Sequence, residues 1–383
     1  MLRIVLTELL SRGLLWARVL LIGGVLGAEE YGYLLLLISA ETIFGSIISY
    51  PQIKEILVRQ NCERSHFYST GALYLLLLPL VLAASYWYFE DYVPALVIAA
   101  SVFFFAGAQT ALYVLRVQNA AIYNRAKMHA AVISTVVFFA TLPFNQNLLP
   151  LTYLSYFVVL LAAFLRVEQR ESAGAGFSVR AVVAGWLIFG AQSLLTQLGQ
   201  QGNRFVVGAV LSVADVAVFV KSYMLASGIT FIYAAIMVKY EKGLSRLVAS
   251  DELGARTTKA ALIGLAMIGL LITYIAGVYG VWLAGLDVLQ PVFRDADKSL
   301  LLLFGGFFAL QALYLVLNPV VIATGRRTWS LMATNVSLLV QLAMIVSFWG
   351  ELTLQILAAS MIAGQFVLVA MLIFGNVSAR KLA

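Results

Sequence analysis

TELLSRGLLWARVLLIGGVLGAEEYGYLLLLISAETIFGSIISY, residues 7–50, decides the fold. Two apolar runs flank one acidic turn at Glu29 and Glu30, so the stretch reads as a helical hairpin. Each run has about the 20 residues that the hydrocarbon of a bilayer requires. Yet Glu8, Arg12, Arg18 and Glu41 lie inside the runs. A charge at the bilayer centre costs at least ~2.5–3.5 kcal/mol on insertion scales, so such groups have to face protein or water.

The remainder of the chain has the same character. Of its 383 residues 62% are hydrophobic and 11% charged, against about 25% charged in soluble domains. Further apolar runs fall at about 68–88, 93–115, 121–141, 148–165, 180–211, 213–238, 258–283, 300–323, 328–348 and 352–375. With about 4–26 and 31–53 they predict an all-α polytopic membrane protein of about 12 transmembrane helices. Barrel strands would be shorter and would alternate polar with apolar residues. Little sequence is left for a soluble catalytic domain, so an enzyme is not expected.

Loop charges test the count. Connections from odd to even runs hold nine acids and two bases, whereas the other connections and the two termini hold nineteen bases. Basic loops stay in the cytoplasm, which predicts both termini inside. The formal charge of +7 is thus a topology signal and not one for nucleic acid. Residues 1–27 hold arginines within the apolar region and no small-x-small site, against a cleaved signal peptide. A single Cys62 excludes an intrachain disulfide, and two histidines make no zinc cluster; no metal is expected.

GGVLGAEEYGYL (23–34) and GAVLSVADVAVF (208–219) are both a helix end, an acidic turn and a new helix, and both follow an intramembrane arginine, Arg18 or Arg204. Their offset is near half the chain. The pattern predicts a six-helix lobe over residues 1–165, a cytoplasmic linker over 166–180 and a second six-helix lobe over 181–383, a parallel repeat of the kind found in transporters. The linker RVEQRESAGAGFSVR is rich in Gly, Ser and Ala and reads as a tether. Residues 239–259 mix Leu244, Leu247 and Leu253 with Lys239, Lys242 and Arg246, and read as a short amphipathic helix on the inner membrane face.

Six ionisable side chains remain inside spans: Glu8, Arg12, Arg18, Glu41, Arg204 and Lys221. At about 100° per residue, Glu8, Arg12 and Arg18 fit an arc of about 120°. Glu8 and Arg12 can pair at i, i+4, and Glu41 is the candidate partner of Arg18 across the hairpin. In the seventh span Gln197, Gln201 and Arg204 follow i, i+4, i+7 with Gln200 close by, and Gln311 and Asn318 share a face of the tenth. Four bases against two acids leave a positive interior that would attract an anion. Arginine suits phosphate through its planar fork and its persistent charge, and amides suit sugar hydroxyls. Structural readings compete. Glu8 and Arg12 could form a structural pair, Arg18 or Arg204 could snorkel outward, and single amides often only join neighbouring helices. His129 reads as a core histidine.

SRGLLWARVLLIGGVLGAEEYGYLLLLISAETIFGSI (11–47), GNRFVVGAVLSVADVAVFVKSYML (202–225), KGLSRLVASDELGARTTK (242–259) and ATGRRTW (323–329) together resemble the multidrug/oligosaccharidyl-lipid/polysaccharide (MOP) exporter superfamily, and within it the polysaccharide transporters of the O-antigen flippase type. The resemblance implies two six-helix bundles in a V around a central cavity. It implies translocation of an undecaprenyl-pyrophosphate-linked oligosaccharide, an O-antigen or exopolysaccharide repeat unit, across a bacterial inner membrane by alternating access. Arg12, Arg18, Arg204 and Lys221 would hold the pyrophosphate, and Gln197, Gln200, Gln201, Gln311 and Asn318 would contact the substrate. Glu8 or Glu41 would couple transport to H⁺ or Na⁺, with no other cofactor, and a polysaccharide polymerase and chain-length regulator would be partners. An ion-coupled multidrug exporter of the same superfamily is the alternative, although cationic drugs would favour an acidic cavity. A membrane-embedded polysaccharide-assembly enzyme is a further one. For it the short outer loop 284–299 offers only Asp295 and Asp297.

Overall fold

The computed structural model describes residues 2–59, 65–141, 149–166, 193–234, 253–323 and 327–380, together with 183, 186, 190, 236 and 237. All regular structure among them is helical. In chain order the helices are α1 (Leu2–Ile22), α2 (Ala28–Arg59), α3 (Ser65–Phe89), α4 (Tyr92–Gln118), α5 (Ala120–Thr141) and α6 (Leu149–Leu165). A π-helical turn, Leu198–Gly202, leads into α7 (Asn203–Val210) and α8 (Val213–Ser227). Then come α9 (Leu253–Leu283), α10 (Lys298–Ala323), α11 (Arg327–Ser347) and α12 (Leu354–Arg380). The chain is an all-α polytopic membrane protein, and helix is found in each of the twelve apolar runs. Eight helices among the described residues are long and apolar enough to span a membrane on length and composition. The others fall short for local reasons: α1 carries four charges, α5 carries Arg125 and Lys127, α6 is short, and the seventh run is interrupted by the π-turn. The tether lies outside the described residues from 167 onward. So does the amphipathic segment up to 252, and its last residues open α9.

Helix ends are set by side chains whose oxygen accepts the orphan N–H groups of a first turn. Asp91 accepts from Val93 N at 3.0 Å and starts α4. Asn119 adopts an extended conformation that stops α4, and its Oδ1 accepts from the backbone of Ala121 and Ile122, each at 3.1 Å, to start α5. Ser212 accepts from Asp215 N at 3.0 Å and donates to the Asp215 carboxylate at 2.6 Å, closing the turn before α8. Asp297 accepts from Leu300 N at 2.8 Å at the start of α10. Partial burial pushes the Asp297 carboxyl up, but bonds from the Ser299 hydroxyl and from the N–H groups of Leu300 and Ser299 outweigh it and hold the carboxyl below the usual carboxylate range. Asp295 forms an exposed 3.8 Å pair with Arg294. The two carboxylates of the 284–299 loop thus serve local structure.

The described chain packs as two compact units, one of residues 2–18 and 34–202, the other of 19–33 and 203–380. In a bilayer, packing is driven by close contact and not by transfer from water, so small residues matter. In the first unit Ala111, Ala130 and Leu160, all fully buried, join α4, α5 and α6. In the second, Val321, Ala333 and Leu372 join α10, α11 and α12. There, too, Phe304 of α10 takes the rings of Phe219 and Tyr223 edge-on at 5.1 and 5.2 Å. The tip of the first hairpin belongs to this second unit. Gly32 lies against the Val213 carbonyl so closely that a methyl group there would overlap it.

One buried-residue expectation fails. His129 is exposed, on the stripe of α5 that also carries Arg125, Val132, Ile133 and Val136, because Ala126 and Ala130 define the inward face. The buried histidine is His66 at the start of α3, whose Nδ1 lies 3.2 Å from Gln52 Oε1.

Because Asn119 closes one helix and opens the next, Asn119→Ala should cost about 1 kcal/mol, whereas Asn119→Asp should cost less. Thermal melting of the detergent-solubilised protein reads the difference.

Candidate functional site

Each unit holds charged side chains inside its apolar spans. In the first unit Arg18 of α1 is only 8% exposed. Its Nη1 donates to Ser134 Oγ of α5 at 3.4 Å, and its guanidinium lies 4.8 Å from the Phe138 ring centre. Arg18 Nε is buried and makes no hydrogen bond among the described residues. Glu41 of α2 is fully buried, and neither carboxylate oxygen has a hydrogen bond of ordinary geometry among the described residues. Glu41 is within electrostatic reach of Arg18, and the Tyr153 hydroxyl of α6 is its polar neighbour. The sequence-expected pairing across the hairpin is therefore realised as proximity without a direct hydrogen bond. Unsatisfied buried polar groups in a native fold ask for an explanation, and a functional one is frequent.

In the second unit Arg204 of α7 lies 5.9 Å from the Tyr223 ring centre, within electrostatic reach of Tyr31. Lys221 of α8 is fully buried. Its ammonium sits 5.6 Å from the Tyr31 ring centre and donates to the Pro291 carbonyl at 3.0 Å. Tyr31 thus stands between two cations, which favour the negative face of an aromatic ring, and its hydroxyl is buried with no hydrogen bond among the described residues. Arg204 and Lys221 share one aromatic neighbour, while Arg18 lies in the other unit among different ones.

The remaining candidates are more dispersed. Arg12 is exposed although Ser11 beside it is buried, so the arc of α1 that carries the charges has edges in different surroundings. The side chain of Glu8 lies outside the described residues. Gln200 is exposed, whereas the Oε1 atoms of Gln197 and Gln201 are buried and without a hydrogen bond among the described residues. The i, i+4, i+7 stripe through Gln197, Gln201 and Arg204 is not regular. The π-turn closes i→i+5 bonds and offsets the period at Leu198–Gly202. Gln311 accepts from Gln365 Nε2 at 2.7 Å, tying α10 to α12. Asn318 donates to the Tyr314 hydroxyl at 3.3 Å and accepts from Ser330 Oγ at 2.6 Å, tying α10 to α11. Both make the bonds of helix–helix contacts.

Sequence reasoning missed a second feature of the first unit. A cavity of about 350 Å³ opens between α2, α4 and the helical turn at 193–197, with Ser46, Tyr50, Gln109 and Tyr113 in its wall. The signal was present. Ser46 and Tyr50, and Phe105, Gln109 and Tyr113, recur at spacings of four residues, which sets each group on one helix face.

No protein-family model and no curated protein matches the sequence. Solved structures do match the fold. A multidrug resistance MATE family transporter of the MOP superfamily, in an inward-facing conformation, superposes with a TM-score of 0.65 at 16% identity, covering 97% of this chain and 95% of that one. A MOP superfamily transporter from Pyrococcus furiosus, described by a binding pocket of reverse polarity, gives 0.64 at 17%, covering 99% and 94%. The lipid II flippase MurJ, in an inward closed conformation, gives 0.64 at 11%, covering 98% and 87%. The structural neighbours are thus MOP superfamily transporters over nearly the whole chain, and the fold is theirs.

Tyr31 gives a test of the second cluster. Tyr31→Phe keeps the ring beside both cations and should change stability by less than about 1 kcal/mol. Tyr31→Ala removes the ring and leaves a hole, and should cost about 3–5 kcal/mol, read as a fall in the thermal midpoint in detergent.

Proposed function

We propose that this chain is a flippase for an undecaprenyl-pyrophosphate-linked oligosaccharide, working by alternating access in a bacterial inner membrane with both termini in the cytoplasm. In this reading residues 1–165 and 181–383 are its two lobes. The observation that carries the proposal is the placement of Arg18, buried, and Arg204, half-buried, in apolar spans beside aromatic rings, with donor capacity left over at Arg18 among the described residues. A guanidinium stays charged when buried and binds phosphate oxygens in pairs, so a diphosphate is the ligand that such groups fit. Lys221 adds positive potential from a fixed position, since one of its protons is held by the Pro291 carbonyl. Arg12 would meet the headgroup near the entrance. Gln197, Gln200 and Gln201 supply amides toward the saccharide, with Gln311 and Asn318 placed in the wall. A lipid II flippase among the structures of the same fold supports a lipid-linked substrate. Polymerase and chain-length regulator belong to this reading as partners.

A second reading has its own observation. Glu41 is a fully buried carboxylate without a hydrogen bond of ordinary geometry among the described residues, the kind of group that a cation-coupled exporter uses, and MATE exporters share the fold. In the flippase the same carboxylate, with Glu8, would couple H⁺ or Na⁺ to transport.

The two separate in a strain whose surface glycan depends on this chain. Arg18→Ala and Arg204→Ala should each lower surface glycan at least tenfold at unchanged protein level, and Arg→Lys at either site should restore part of it. Normal glycan from the double alanine variant overturns the proposal, as does loss of resistance to cationic drugs with the glycan intact.

A further inference from the structure

The first unit holds a chamber whose chemistry differs from that of the charged clusters. Hydroxyls of Ser46, Tyr50, Tyr113 and Thr196 and the amides of Gln109 and Gln197 line it, and the described lining residues include no Asp, Glu, Lys, Arg or His. Its volume of about 350 Å³ is at the lower end of the ~300–1,000 Å³ usual for small-molecule sites. Hydroxyls and amides both donate and accept, which suits a neutral polyhydroxy ligand. Gln197 brings to this wall a side-chain amide whose buried Oε1 takes no hydrogen bond among the described residues. The Tyr113 ring is steadied from outside by the Arg116 guanidinium, 5.9 Å from its centre.

The chamber's position matters as much as its lining. Phe105 forms part of its wall and packs edge-on to Tyr153 at 6.0 Å. Phe105 is seated on Gly45, where a methyl group would overlap the ring. Tyr153 is in turn the neighbour of Glu41 and Arg18. The neutral chamber and the buried guanidinium are thus linked through two neighbouring rings, Phe105 and Tyr153, inside a single unit. A ligand that joins an anionic group directly to a neutral polyol has the chemistry of these two neighbouring surroundings.

We propose that this chamber is the sugar subsite, taking the saccharide ring next to the pyrophosphate, with Ser46, Tyr50, Gln109, Tyr113, Thr196 and Gln197 as the contacting residues. The proposal rests on the flippase reading and adds to it a site made of neutral side chains. Purified full-length protein in detergent is titrated with farnesyl pyrophosphate and with farnesyl pyrophosphates carrying glucose, galactose or N-acetylglucosamine. Affinity is read by microscale thermophoresis. The wild type should bind the best sugar-bearing probe at least tenfold more tightly than farnesyl pyrophosphate. Gln109→Leu combined with Thr196→Val should reduce that ratio to near one and leave farnesyl pyrophosphate within twofold. Ser46→Leu, which fills the chamber from α2, should do the same if the double variant fails to fold. Arg18→Ala should weaken all probes alike. A sugar advantage that survives the chamber variants, or none in the wild type, overturns the subsite and leaves the flippase reading standing. Failure of the wild type to bind any of the probes overturns the flippase reading itself.

Discussion

Hydrocarbon cannot solvate a charge, and the interior of this protein is arranged around that constraint. The cations inside its spans find different substitutes for water. Arg18 has a serine hydroxyl and the face of Phe138. Lys221 has a backbone carbonyl and the face of Tyr31. Arg204 has Tyr223. Rings are economical here, because they attract a cation through the quadrupole while remaining apolar toward lipid and neighbouring helices. Among the described residues the arrangement leaves Arg18 Nε and both Glu41 carboxylate oxygens without a hydrogen bond of ordinary geometry.

Fold and function rest on different evidence. The superposition on transporters at 11 to 17% identity extends over nearly the whole chain, so backbone architecture tolerates almost complete replacement of side chains. Such a fold hosts more than one substrate class, and the choice between them lies in the sites. What separates a diphosphate carrier from a cationic-drug exporter is the sign and distribution of a few buried charges, here Arg18, Arg204 and Lys221 against Glu41.

Much of the fold was legible because a bilayer imposes a long apolar period and a loop-charge asymmetry that no local detail disturbs. The helices of α2 through α6 and of α9 through α12 begin and end within several residues of the runs read from the sequence. The site was legible in part. Arg18 and Glu41 stand out as charges where none is affordable, and their approach follows from hairpin geometry. The polar chamber was harder to see, since Ser46, Gln109 and Thr196 are unremarkable singly and acquire meaning only when three helices bring their stripes together. His129 misled because its neighbours on the chain are apolar, and an apolar neighbourhood in a membrane helix says nothing about whether a position faces protein or lipid. Gln311 and Asn318 show the same ambiguity for amides, which serve helix contacts and ligands with identical bonds.

The π-turn at Leu198–Gly202 holds one residue more than an α-helical path of the same length would need. Such a surplus acts as a screw offset. The residues ahead of it keep the angular frame of the chamber in the first unit, and Arg204 beyond it keeps the frame of Tyr31 and Tyr223 in the second. Removing a single amino acid at this place would leave both segments helical and equally apolar, yet would turn the residues on one side of it by about 100° about the helix axis. The seventh span is thus a place where a deletion invisible to hydropathy would put the polar side chains of one segment out of phase with their present neighbours.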